Sequence, residues 1–189
     1  MDLVLFGIQG SGKGTQAKRL AAEQNYVIFE AGGELRRIAA SGSVLGNAIA
    51  SFINEGHLVP FEIIMQVVRY FVESKDASQK ILFDGIPRDT DQKKAFDEMM
   101  SELGRDFAAL QLTVNEEESL KRILLRAKEQ GRADDASEES IRRRMALFHE
   151  KTEPVIKAYA EQGKVVEVSG EGTMDEVYQR IVEALSVLA

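Results

Sequence analysis

The sequence predicts an α/β fold, a parallel sheet covered by helices. Three observations predict it. Five short apolar runs alternate with segments of helical periodicity along the 189 residues. The first run, Leu3-Val4-Leu5-Phe6, feeds Gly7-Ile8-Gln9-Gly10-Ser11-Gly12-Lys13-Gly14-Thr15 and then a helical segment, which is the strand, loop and helix context that the phosphate-binding pattern G-x-x-x-x-G-K requires. The third run ends in a carboxylate, Asp84, at the strand end where parallel sheets bind ligands.

The loop has a specific physics. Its glycines let the backbone curl so that successive N–H groups face an anion. The helix behind it adds unpaired donors and a positive dipole end. Lys13 supplies a mobile point charge for the outer phosphates. One detail departs from the general pattern: Gly14 stands directly after Lys13, and the hydroxyl residue, Thr15, comes one later.

Composition sets bounds. The length suits one α/β domain with small insertions, and 44% hydrophobic residues is ordinary for a globular chain. A net charge of -7 argues against a general nucleic-acid or membrane-surface binder, so any phosphate site must gather its arginines and lysines locally. There is no cysteine, which excludes disulfides and thiolate metal sites and suits a cytoplasmic location. His57 and His149 are the only histidines, too few for a histidine zinc site without carboxylates. No signal peptide is expected, because no basic region precedes the first apolar run. No apolar stretch approaches the roughly 20 residues of a membrane span.

The elements follow in order. Thr15 to Gln24 is helical, with Ala17, Leu20 and Ala21 recurring at helical spacing. Tyr26 to Phe29 is a second buried strand, and Glu30-Ala31-Gly32-Gly33-Glu34-Leu35-Arg36-Arg37 enters a helix softened by glycine. Ala48, Ile49, Phe52 and Ile53 form a short amphipathic helix that ends by Gly56-His57-Leu58-Val59-Pro60. Glu62 to Ser74 is a clearer helix, with Ile64, Val67, Val68, Phe71 and Val72 on one face. The connection from second to third strand is longer than a usual βαβ crossover, which suggests an inserted binding lobe. Lys80 to Gly85 is the third strand, and Ile86-Pro87-Arg88 sets a guanidinium beside the same crevice. Asp91 to Leu103 is helical, with Gly104 as its terminating glycine. Ala108 to Val114 is the fourth strand, and Asn115-Glu116-Glu117-Glu118 starts a helix with acidic residues at its positive end. That helix carries Arg122 and Arg126 on one face and breaks at Gln130-Gly131. Ser137 opens a long helix that Pro154 kinks or divides and Gly163 ends. Lys164 to Ser169 is the fifth strand, and Met174 to Leu188 is the last helix.

Beside such a loop, Asp84 is expected at the magnesium–phosphate centre. Arg126, Arg132 and Arg144 flank the polar connection Arg132-Ala133-Asp134-Asp135. If it folds over the loop, their planar forks converge on phosphates. Arg142 and Arg143 are expected to be solvated, because three consecutive helix residues cannot share one face.

These residues resemble the adenylate kinase family of nucleoside monophosphate kinases, nearly end to end. The strongest marks are G-I-Q-G-S-G-K-G-T-Q from Gly7 to Gln16, D-G-I-P-R from Asp84 to Arg88, and G-R-A-D-D from Gly131 to Asp135, with Thr152-Glu153-Pro154-Val155-Ile156 similar too. The Lys-Gly-Thr order is usual in that family. The resemblance implies a three-layer P-loop fold with a five-stranded parallel sheet. The core would be 1–29, 60–125 and 137–189, a monophosphate-binding lobe 30–59, and a lid of the short form 126–136, without the cysteine-bound zinc of longer lids. It implies a cytoplasmic monomer whose partners are the nucleotides ATP, AMP and ADP, with neither nucleic acid nor membrane.

Residue roles follow from the same resemblance. Gly10, Ser11, Gly12, Lys13, Gly14 and Thr15 would hold the donor triphosphate, and Arg126 and Gly172 would also meet the donor nucleotide. Arg36 and Arg88 would hold the acceptor's α-phosphate, with Gly85 beside them. His57, Leu58 and Val59 would line the acceptor base, Ala31 would shape its pocket, and Gln92 would read its edge. Arg132 and Arg144 would clamp the phosphates during transfer. Asp84 would orient the water shell of a magnesium ion that arrives with ATP, with no direct protein ligand. Lys13, Asp84, Arg88, Arg126, Arg132 and Arg144 form the expected catalytic set.

Three positions depart from the family pattern. Ala31 stands where adenylate kinases usually have Thr, as in UMP–CMP kinases; Gly33 replaces the usual Asp; Ile86 replaces the usual Phe. Gln92 matches adenylate kinases, and its amide can pair with adenine N6 and N1. The expected reaction is reversible, direct in-line transfer of the γ-phosphoryl of MgATP to AMP, without a covalent intermediate. The alternatives are a UMP/CMP or relaxed-specificity monophosphate kinase, and a nucleotide-binding module without turnover. A GTPase would need an Asn-Lys-x-Asp segment, and the chain contains none.

Overall fold

The computed structural model describes residues 1–54, 59–130 and 138–187, with the side chains of 53, 54, 126, 128–130 and 140 outside the description. Five strands, β1 (Asp2–Phe6), β2 (Tyr26–Glu30), β3 (Lys80–Asp84), β4 (Phe107–Thr113) and β5 (Val165–Ser169), form one sheet in the order β2-β3-β1-β4-β5. Every pairing is parallel. Along β1 every residue is buried, because helices cover both faces of the sheet. Val4 and Phe6 face one core, and Leu3 and Leu5 face the other.

The first core packs against α4 (Phe61–Glu73), α5 (Thr90–Glu102) and α8 (Glu153–Glu161). Phe29, Phe83, Phe96, Phe107 and Tyr159 pass through it as successive ring contacts, three of them edge-to-face at 5.0 to 5.5 Å. Each fully buried ring contributes about 1.5–3 kcal/mol of transfer free energy. The second core packs against α1 (Lys13–Gln24) and α9 (Met174–Ser186). A capping box between Thr173 and Glu176 starts α9. The buried Asp2 and the partly buried Arg105 pair at 2.7 and 2.8 Å, and Asp2 also accepts the Ile81 N–H, tying the N-terminal ends of β1, β3 and β4.

The expected inserted segments are α2 (Ala31–Ala39) and α3 (Val44–Asn54), which pack on each other, while α2 also touches β2 and α4. α6 (Glu116–Gln130) and α7 (Glu138–Leu147) join Ile8 in a small third cluster, built from Ile123, Ile141 and Met145. This cluster places α6 and α7 directly against the glycine loop.

Three boundaries differ from the sequence reading for physical reasons. α1 begins at Lys13, inside the glycine motif, because Gly12 serves as its N-cap at φ 95°. α2 begins at Ala31, so Gly32 and Gly33 lie inside it. The long helix expected after Ser137 is three segments: α7, a π-helical stretch Phe148–Thr152, and α8 with Pro154 in its first turn. Proline has no N–H to offer the preceding turn, and the backbone widens just before it.

Candidate active site

The C-terminal ends of β2, β3 and β1 make one edge. Glu30 stands in register with Asp84, and Leu5 with Asp84 on the other side, so the loop after Phe6 opens next to the Asp84 carboxylate. Inside the loop, Ser11 N donates to Ile8 O at 3.1 Å, and Thr15 N and Gln16 N donate to Gly12 O. The first amides of α1 therefore point out of the helix end toward the loop's hollow. Lys13 folds back, its Nζ donating to Gly7 O and, at 3.1 Å, to Ile8 O. Ser11 is 1% exposed, and its hydroxyl has no hydrogen-bond partner among the described residues; an anion in the loop would satisfy such a group.

The loop is held from behind by α6. A methyl group at Gly10 would stand 2.5 Å from the Ser119 carbonyl, and Gly10 sits at φ 84°. Only glycine serves there, on both counts. The fully buried Ser119 also donates its hydroxyl to Gln9 O. Ser119 carried no motif in the sequence, because its role depends on helix packing across 110 residues of chain.

Asp84 and Arg88 share the crevice across a turn containing a cis Ile86–Pro87 bond. Arg88 Nε donates to Gly85 O at 2.8 Å, with Gly85 at φ 88°. Arg88's backbone is fixed from both sides: its N–H donates to Gln92 Oε1 at 2.9 Å, and its carbonyl accepts from Thr152 Oγ1 at 2.9 Å. The guanidinium lies among many protein atoms, yet solvent reaches it. That crowding draws its pKa below the usual arginine value; Asp84 pulls the other way, and the charge of Arg144 adds to the lowering. Burial likewise holds the Asp84 carboxyl above its usual value, against Lys13 and Arg88, while the charge of Glu30 pushes it further up. Lys13, Asp84, Arg88 and Arg144 are thus close enough to feel one another. Three cations and a carboxylate around one hollow can grip a polyphosphate and its counter-cation.

The other expected residues are distributed as follows. Ala31 is buried at the start of α2, 3.6 Å from where a Gly85 side chain would begin. Arg36 is exposed on α2 and faces Glu30 at 3.4 Å. Val59 is half-buried just before α4. Gln92 lies in the first turn of α5, its backbone N–H capped by Asp89 at 2.8 Å and its side-chain carbonyl on Arg88 N. The expectation for Gln92 was base recognition alone; its carbonyl also anchors the Arg88 turn and keeps a second lone pair. Gly172 sits in the turn before α9 at φ 103°. His57, Leu58 and Arg132 lie outside the described residues, as does the side chain of Arg126, which sits in α6. Arg122, on the same face of α6 in sequence, pairs with Glu118 at 2.8 Å and donates to Gly170 O at 3.1 Å. Arg142 and Arg143 pair with Glu138 and Glu139 on the solvent side of α7, as expected.

Three further contacts lay outside the sequence reading. Thr152, in the π-helical stretch, holds the Arg88 carbonyl; the Thr-Glu-Pro motif could have pointed to it. Gln16 Nε2 donates to Met174 O at 3.0 Å, fastening the donor-side helix α1 to the start of α9. Glu30 stands at the strand end beside Asp84; a charged residue closing an apolar run was its only signal. Among the described residues no group of three or more His, Asp or Glu side chains is disposed to bind a metal ion. A single carboxylate, Asp84, beside the loop would suit a cation carried mainly by phosphates and water.

Comparison with known proteins gives the family. Residues 5–164 match the family model described as adenylate kinase. The chain is 40% identical to the adenylate kinase of Maricaulis maris over 98% of both chains. It is 40% identical to that of Thermus thermophilus over 98% of this chain and 97% of the relative. It is 36% identical to that of Phocaeicola vulgatus over the full length of both. With the sheet order, the loop and the strand-end crevice in place, the chain belongs to the adenylate kinase family.

Proposed function

We propose that the protein transfers the γ-phosphoryl group of MgATP reversibly to AMP, giving two ADP. What supports this is the meeting, at one strand-end edge, of the glycine loop, with Lys13 folded onto its carbonyls, and the Asp84–Arg88 turn. The donor triphosphate lies along the loop amides from Gly10 to Thr15, and Lys13 exchanges the carbonyls of Gly7 and Ile8 for phosphate oxygens. Arg36 and Arg88 hold the acceptor phosphate. Val59 and Gln92 border its base together with His57 and Leu58, while Arg126, Arg132 and Gly172 complete the nucleotide contacts. Asp84 would orient the water shell of a magnesium ion arriving with ATP, which would supply neutralising charge for the migrating group. The chain's own work is positional: it aligns the two phosphates and surrounds the transferring group with fixed cations. No residue needs to accept the phosphoryl group.

The same reading divides the chain into a body, a monophosphate lobe at 30–59 and a lid at 126–136. Water competes with AMP as the attacking group, so both segments close before transfer. The protein acts as a cytoplasmic monomer on free nucleotides, bound to neither nucleic acid nor membrane; no helix among the described residues is long and apolar enough to cross a membrane.

A coupled assay with ATP and each of AMP, UMP and CMP tests the reading. AMP is expected to have the highest kcat/KM. Lys13→Ala and Arg88→Ala are each expected to lower turnover by about 100-fold or more, the scale of losing a preorganised charge donor. Near-parental turnover in either folded variant removes that residue from the mechanism, and a preference for CMP or UMP reassigns the acceptor.

A further inference from the structure

The stretch Glu30-Ala31-Gly32-Gly33 is the chain's most unusual departure, and its geometry has a reason. Gly32 and Gly33 lie inside α2, without the positive φ that favours glycine. In a helix interior they weaken helix formation, so what they supply is space. A Cβ at Gly33 would stand 2.8 Å from Glu30 Oε2, and one at Gly32 would stand 3.2 Å from Arg36 Nη1. Glu30 Oε1 and Arg36 Nη2 face each other at 3.4 Å across the bare turn. The glycine pair is thus the floor on which this ion pair lies. Glu30 also stands in register with Asp84 at the neighbouring strand end, and its charge reaches both Asp84 and Arg88.

We propose that Glu30 is a resident counter-ion of the acceptor-phosphate arginines, occupying Arg36 in the free enzyme and displaced by the incoming monophosphate. The proposal rests on the reading of Arg36 as an acceptor-phosphate contact. A nucleoside monophosphate carries up to two negative charges near neutral pH. It enters a crevice that already holds two carboxylates, Glu30 and Asp84, and must take the guanidinium from one of them. Glu30 therefore weakens acceptor binding and speeds acceptor release, and it acts on the phosphate and not on the base. It is a positioning residue: it touches Arg36, not the reacting atoms.

Titration calorimetry on the full chain tests this. Glu30→Gln keeps the size and removes the charge. The AMP Kd is expected to tighten about two- to fivefold, the scale of one exposed ion pair. The gain shrinks as salt is added, and KM for AMP falls while KM for ATP stays. Adenosine, which lacks the phosphate, is expected to bind both proteins equally. Gly33→Ala crowds the Glu30 carboxylate off Arg36, so it is expected to tighten AMP binding too, without adding to the effect of Glu30→Gln in the double variant. An AMP Kd that is unchanged or weaker in Glu30→Gln overturns the proposal, as does an equal shift for adenosine. Arg36→Ala separates the two levels. If it leaves AMP binding intact, the reading of Arg36 fails; if it weakens AMP binding while Glu30→Gln changes nothing, only the counter-ion role fails.

Discussion

At the scale of the residue, Asp84 carries a conflict between stability and use. Its carboxyl sits above the usual carboxylate range because burial disfavours its charge more than Lys13 and Arg88 favour it, with Glu30 adding repulsion. The folded protein then holds the Asp84 proton more tightly than the unfolded chain does. That contribution to stability is complete below the unfolded pKa, near 4, and is lost as pH rises through the raised folded value. At neutral pH the ionised side chain is a net burden on the free enzyme. Asp84→Asn is therefore expected to raise the melting temperature of the nucleotide-free protein at pH 7 while lowering turnover, the trade common at active sites. Thermal melts from pH 7 down to about 3.5 check the sign, because the gap between variant and parent should close once the parent's carboxyl is protonated. An asparagine variant that is less stable at pH 7 would show that Lys13 and Arg88 outweigh the burial.

At the scale of the element, the π-helical stretch Phe148–Thr152 carries two functions. Thr152 fixes the Arg88 carbonyl, and His149 joins three segments, with Nδ1 2.7 Å from Glu153 Oε1 in α8 and Nε2 2.7 Å from Glu116 Oε1 in α6. The hydrogen bond to Glu153 raises the His149 pKa against a small burial cost, and the charges of Glu153 and Glu116 raise it further. A raised histidine pKa means stability that is complete below about pH 6.5 and is lost as pH rises through the folded value. His149→Gln is expected to melt earlier than the parent at pH 5.5 and together with it at pH 9, by a modest margin because the imidazole is partly exposed. A margin constant with pH would mean that packing on Phe148, not charge, holds the ring. This stretch also marks the limit of legibility. Strands such as Leu3–Phe6 and helices such as that around Val67 and Val68 were legible, because buried apolar runs and their period betray them. The start of α1 inside the glycine motif, the widened turn before Pro154 and the sheet order were not, since each is decided by contacts between distant parts of the chain. The same holds at the site. Lys13, Asp84 and Arg88 were legible as motif residues, whereas Ser119, Gln16 and Glu30 act through neighbours that only the fold supplies.

At the scale of the whole molecule, the glycine loop is a shared foundation. α6 presses on Gly10 through Ser119, and Ile8 packs with Ile123, Ile141 and Met145 from α6 and α7, so both helices rest on the glycine loop itself. On the other side, α2 and α3 pack on each other, and α2 meets the body at β2 and α4. Gly85 and Gly163 turn the chain at positive φ, 88° and 70°, at the ends of β3 and α8. A ligand made of two adenosines joined through five phosphates fills the donor and acceptor halves at once, so it should bind and draw both segments inward. At a free concentration 100 times its Kd it adds about 2.7 kcal/mol of stability, which for a chain of this length is a rise of roughly 5–10 °C in melting temperature. AMP and ATP added singly fill one half each and leave the other segment undrawn, so their radii of gyration by solution scattering should fall less than with the joined ligand. A chain that gains stability but keeps its radius would bind both nucleotides without closing, and water would then have to be excluded by the arginines alone. A chain whose melting temperature does not move has no two-nucleotide site, and the strand-end crevice would need a different occupant.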